Sequence, residues 1–160
     1  IAAAKVGVLA SALNDLPDSF EQLAATQSNI GRMKKAGVEV AIGMINDNEA
    51  RQAQLSMQYA GNLVALNKVP GATGLSWDQA FATISSIPAD IAGLGGEIGS
   101  LRAGRKADVV IWDGDPLELS SAATTVFIDG VEQPLTNRQN HLRDRYARPT
   151  EGDLPKAYDR

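Results

Sequence analysis

The 160-residue sequence predicts an α/β fold, and three observations lead there. An apolar run at Val6–Ala10 and another at Val38–Ile42 flank a stretch with helical apolar spacing. Strand, helix and strand in that order form a βαβ unit, whose crossover is nearly always right-handed and whose strands are parallel. More helical sequence continues to about residue 95, and from residue 97 the pattern changes to short strands and turns.

Val6-Gly-Val-Leu-Ala10 is short and continuously apolar, suited to a strand buried on both faces. Asn14-Asp-Leu-Pro-Asp18 is a turn cluster. Ser19 stands three residues before Gln22, a capping-box spacing that predicts a helix start, and Phe20, Leu23, Ile30 and Met33 would face inward at helical period. Lys34 and Lys35 followed by Gly37 make a helix stop. Val38–Ile42 is the next strand, and Gly43-Met-Ile-Asn-Asp47-Asn48 is the loop at its C-terminal end. A long helix is expected from about Glu49 to Leu66, then a Gly/Pro loop from Lys68 to Gly74. Ser76 and Gln79 repeat the capping-box spacing and open a helix with Trp77, Ala80, Phe81 and Ile84 on its inner face. Pro88 suits the first turn of another short helix, which Gly93–Gly96 ends.

Strands are expected at Ala107–Trp112, Thr125–Ile128 and Val131–Leu135, with Asp129-Gly130 as a hairpin turn. Residues 136–148 read as a helix carrying Leu142 and Tyr146 at i,i+4, and Pro149–Arg160 is a polar tail. Three regions follow: 1–96, 97–135 and 136–160.

Composition narrows the function. The chain is 44% hydrophobic and 21% charged, as ordinary globular proteins are. Its net charge is −4 and its basic residues are dispersed, which argues against nucleic acid as a partner. No apolar run reaches the roughly 18 residues of a membrane span. With no cysteine there is no disulfide framework and no thiolate nucleophile or metal ligand. The compartment stays open.

The most specific motif is Gly99-Ser-Leu-Arg-Ala-Gly-Arg-Lys-Ala-Asp108-Val-Val-Ile-Trp112-Asp113-Gly-Asp115-Pro116. With Val126-Phe-Ile-Asp-Gly-Val131 and Arg138-Gln-Asn-His-Leu-Arg-Asp-Arg-Tyr146, it resembles the C-terminal signature of the amidohydrolase superfamily, in its imidazolonepropionase-related branch. The resemblance implies the C-terminal part of a metal-dependent (β/α)8 barrel plus strands of a small β-sandwich. Residues 6–42 would hold barrel strands seven and eight, and a complete barrel needs about 250 residues.

The implied activity is hydrolysis of a non-peptide carbon–nitrogen bond in a small molecule. One or two divalent metals, usually zinc, would be held by histidines on early and middle strands. The metal lowers the pKa of its water, and a carboxylate after strand eight serves as base and then acid. The expectation for this chain is a fragment, inactive and metal-free by itself, completed by the upstream half of the barrel or by another copy. The alternatives are a non-catalytic binding or structural module and one subunit of a two-chain hydrolase.

Asp47, after Val38–Ile42, is the candidate catalytic and metal-binding carboxylate. Met44-Ile-Asn46 separate it from the strand glycine, a longer interval than the family uses, and a solvated acid at a helix N-terminus is the competing reading. Asp15 is a second catalytic candidate at a strand end, where turn chemistry competes. Arg51 is a candidate substrate contact. His141, the only histidine, reads as a surface residue, and Asp108, Asp113 and Asp115 read as turn acids. Trp77 and Trp112 read as core.

Overall fold

A computed structural model describes residues 1–12, 19–44 and 53–147. Among them β1 (Val8–Ala10) and β2 (Val40–Ile42) pair in parallel, Val8 opposite Val40 and Ala10 opposite Ile42. Between them lies α1 (Asn29–Lys35), closed at Gly37, whose φ of 79° is the left-handed conformation a helix end needs. α2 (Ser56–Ala65) follows β2, with one-turn 3₁₀ segments at Ala53–Leu55 and Leu66–Lys68. Then come α3 (Trp77–Ala82) and α4 (Ser86–Ile91).

The parallel pairing expected from strand–helix–strand order is observed. The first helix is not where the capping-box spacing put it. Phe20–Gln22 is a single 3₁₀ turn, and Phe20 and Leu23 are 88% and 69% exposed. Ser19 makes no side-chain cap; its hydroxyl bonds the Glu21 carboxylate instead. The α-helix begins at Asn29, behind a turn in which Thr26 Oγ1 accepts from Ser28 N at 3.2 Å. The buried Ser28 hydroxyl in turn accepts from Thr73 N at 2.9 Å, so a distant loop decides where the helix starts.

Ile30, Val40, Ile42, Tyr59, Ala60, Leu63, Leu75 and Ala80 form the centre of the core. β2 is buried throughout, whereas β1 buries only Ala10 and leaves Leu9 half exposed. Burial of β1 on both faces is therefore not observed: among the described residues it has one strand neighbour, β2.

The second sheet is antiparallel, in the order β3 (Val109–Trp112), β4 (Ala123–Ile128), β5 (Val131–Gln133). Asp129 and Gly130 join β4 to β5 as a two-residue turn with φ of 52° and 77°. Those positive angles explain why Asp-Gly suits the turn. None of the residues in these three strands is buried. α5 (Arg138–Ala147) starts at Asn137, whose side-chain oxygen accepts from Gln139 N and Asn140 N.

Candidate functional site

The C-terminal ends of two adjacent parallel strands are where an α/β protein of this type assembles its chemistry, on the loops that leave the sheet. β1 and β2 end side by side, and Gly43 N bonds Ala10 O at 2.9 Å just past the last ladder pair. Thr83, fully buried after α3, accepts Ile42 N through its carbonyl at 3.0 Å. The Ile42–Thr83 bond ties the end of α3 to the end of β2, and the Thr83 hydroxyl donates to Ala80 O within the last turn of α3. The platform is apolar: Ala10, Ala12 and Ile42 are all buried there, with Met44 packed against the core.

The three candidates Asp15, Asp47 and Arg51 lie outside the described residues. Asp15 belongs to the connection after β1, and Asp47 and Arg51 to the connection after β2.

Glu21 is a carboxylate the sequence reading passed over. It follows β1 on the same connection as Asp15, and its pKa is lowered by its own backbone N–H and then by the Ser19 hydroxyl. Both donors favour the ionised form, so at neutral pH Glu21 accepts hydrogen bonds or pairs with a cation and does not donate a proton. The local pattern Ser19-Phe-Glu21 was the available signal.

Three acids singled out in the sequence motif, Asp108, Asp113 and Asp115, are occupied structurally. Asp108 Oδ1 accepts Asp129 N at 2.7 Å, and Asp113 Oδ1 accepts Ala122 N at 2.7 Å. Asp115 Oδ1 accepts Leu117 N at 2.9 Å. These are turn acids, as their spacing implied. His141 is exposed on α5, and Arg143 pairs with its neighbour Asp144 at 2.7 Å on the same surface helix.

Trp77 departs from expectation. It is 39% exposed, stacked on Phe81 with centroids 5.2 Å apart, and its Nε1–H donates to both carboxylate oxygens of Asp115 at 2.9 Å. An indole with a carboxylate partner keeps its polar edge at the surface, so it does not enter the core. Trp112 is half-buried on β3.

The family model described as "Amidohydrolase family" matches residues 2–137. That span contains both sheets and four of the five described α-helices. The chain belongs to the amidohydrolase family.

Its relatives place it in the imidazolonepropionase-related branch, over part of their length. It is 34% identical to an imidazolonepropionase of Maricaulis maris over 112 residues, 69% of this chain and 25% of that protein. It is 40% identical to "Amidohydrolase tasK" of Hapsidospora irregularis over 73 residues, 44% of this chain and 7% of that one. Among solved structures, an amidohydrolase from Thermotoga maritima superposes with a TM-score of 0.70 at 27% identity, covering 82% of this chain and 32% of that one. The chain thus spans about a quarter of the imidazolonepropionase it matches.

Amidohydrolases as a family bind divalent metals. Among the described residues, no group of three or more His, Cys, Asp or Glu side chains is close enough to hold one ion. Also among the described residues, no helix is long and apolar enough to cross a membrane.

Proposed function

We propose that these residues are the closing part of a (β/α)8 barrel with attached β-sandwich strands, in an enzyme that hydrolyses a non-peptide carbon–nitrogen bond of a small molecule. The observation that carries the reading is the parallel β1–β2 pair, joined through α1 and lying within the family match. Parallel strands are rarely stable as an isolated pair and are normally buried on both faces. Leu9, half exposed on β1, supports further structure packing against this pair. The upstream half of the barrel is the proposed partner, and the metal-binding histidines, with zinc as the proposed ion, would come from it. Imidazolonepropionase relatives support a cyclic amide-like substrate.

Asp47 is the proposed proton-relaying carboxylate, because it sits in the connection that leaves β2. It would take a proton from the attacking water and return it to the leaving nitrogen. Arg51 follows four residues later in sequence and is the proposed substrate contact; Asp15 is the second acid candidate.

The test uses the chain together with its upstream barrel half. Asp47→Asn is expected to lower kcat by about 10²–10⁴-fold, the range for loss of a general acid–base group, with little change in KM. An unchanged kcat would remove Asp47 from the mechanism.

One observation favours the second reading, an autonomous non-catalytic module. The core from Ala10 to Leu117 is continuous within this chain. Cooperative unfolding of monomeric residues 1–160 would support it over the severed barrel.

A further inference from the structure

We infer that the outer edge of β2 is sealed by this chain itself, so that the upstream half of the barrel joins the sheet at β1 and meets β2 only across the elbow between α3 and α4. The inference rests on the barrel reading and says where its partner docks.

The direction of the backbone bonds separates the two edges. Val8 N donates to Glu39 O and Gly43 N to Ala10 O, both at 2.9 Å. Backbone groups of successive strand residues point to alternate sides. Val8 and Ala10 therefore turn to β2, and Leu9 turns away from it. On β2, Ala41 turns to β1, and Val40 and Ile42 turn away. In a barrel these outward groups are the ones the next strand on each side would bond. At β2 that place is taken. Ile42 N donates to Thr83 O at 3.0 Å, so a carbonyl of the elbow stands where a strand's carbonyl would. Val40 and Thr83 are both fully buried.

The elbow also wraps round the strand. Val8, Ala10, Val40 and Ile42 face the cluster built with α1 and α2. By alternation Gly7, Leu9 and Ala41 belong to the other face. α4 reaches that second face, since a Cβ added at Gly7 would stand 2.6 Å from Ile91 Cγ1. α4 packs against β2 as well, and Ala41, Ile87 and Ala89 are buried without belonging to the main cluster. Behind the elbow stands Gly99, with a φ of 81°. A Cβ there would stand 2.6 Å from the Ala89 methyl and 2.9 Å from Ser85 O.

A strand arriving at Ile42 would have to break the Thr83 bond and return Thr83, Ile87 and Ala89 to water, and would gain only one ladder bond in place of another. At β1 nothing has to be displaced. Leu9 is half exposed, and among the described residues no strand lies beyond it. The connection that carries Asp47 therefore leaves a strand whose end is fixed within this chain.

The test reads scalar couplings across hydrogen bonds by nuclear magnetic resonance in the isotope-labelled full-length protein. The Ile42 amide nitrogen should couple to the Thr83 carbonyl carbon, and the Leu9 nitrogen to a carbonyl upstream of this chain. Coupling of Ile42 to an upstream carbonyl, or to none, would overturn the sealed edge while the Leu9 coupling still upheld the barrel. A Leu9 amide with no upstream partner would remove the barrel reading itself, whatever Ile42 shows. Gly99→Ala supplies a second readout, because its methyl presses on Ala89 and loosens the elbow. The Ile42 amide should then exchange about tenfold faster while Gly43, bonded to β1, keeps its rate. An unchanged Ile42 rate, or equal acceleration of both amides, would overturn the elbow's separate hold on β2.

Discussion

Gly31→Ala sets two physical effects against each other. Gly31 lies inside α1, where alanine is favoured over glycine by about 1 kcal/mol. Propensity alone predicts stabilisation. The structure predicts the opposite. A Cβ at Gly31 would stand 2.1 Å from Thr73 O and 2.8 Å from Thr73 C. Carbon needs roughly 3.5 Å from its neighbours, so the Thr73 backbone must retreat by about 1 Å or more. That loop is held on both sides of the contact: Thr73 N bonds the buried Ser28 hydroxyl, and Leu75 N bonds Leu63 O at 2.9 Å.

Overpacking costs about 2 kcal/mol and an orphaned buried hydroxyl about 2 more, against the gain of about 1, so the net loss is about 3 kcal/mol. With a urea m value of about 2 kcal/mol/M, the midpoint should fall by about 1.5 M. Gly96→Ala is the matched control, since nothing lies within 4 Å of its added Cβ. It should be neutral or stabilising by up to about 1 kcal/mol through the unfolded chain. A Gly31→Ala midpoint equal to or above that of the parent would refute the close approach of α1 to the Thr73 loop.

Two further outcomes test local chemistry. Ser76→Ala removes the hydroxyl that accepts Gln79 N, while Gln79 Oε1 still accepts Ser76 N, so urea unfolding should show a loss of about 1 kcal/mol. An unchanged midpoint would mean that the cap does not hold α3. Ser19→Ala should raise the Glu21 pKa towards 4.5, read by carboxyl NMR titration. Because the folded pKa is depressed, this carboxylate contributes stability above its unfolded pKa and loses it as pH falls through the lower folded value. The variant should lose part of that acid dependence, and an unmoved titration would exclude the Ser19 hydroxyl as a cause.

Ser19/Gln22 and Ser76/Gln79 have the same spacing, and only the second pair caps a helix. The difference lies outside both motifs. After Ser76, Ala80 is fully buried and Phe81 packs on the core, so the capped turn has an apolar face to bury. After Ser19, Phe20 and Leu23 point to solvent, and the turn propagates no further. A cap satisfies orphan N–H groups, but burial supplies most of a helix's stability. The candidate site was read from sequence only as far as its topology. Strand–helix–strand order places Asp15 and Asp47 in connections after parallel strands, and the turn acids 108–115 were recognisable by spacing alone. Trp77 was not, because its partner is 38 residues away.

By itself the sequence determined what neighbouring residues settle among themselves: the Asp129-Gly130 turn, the order of strands, and the motif that marks the family. Tertiary structure decided where α1 begins, which way Trp77 faces, and that Leu117 alone joins the β3–β4 loop to the core. Turn geometry is satisfied within a few bonds of chain, whereas a capping-box spacing becomes a cap only where the turn behind it is buried. Burial and long-range hydrogen bonds depend on which distant surfaces meet, and only the folded chain brings those together.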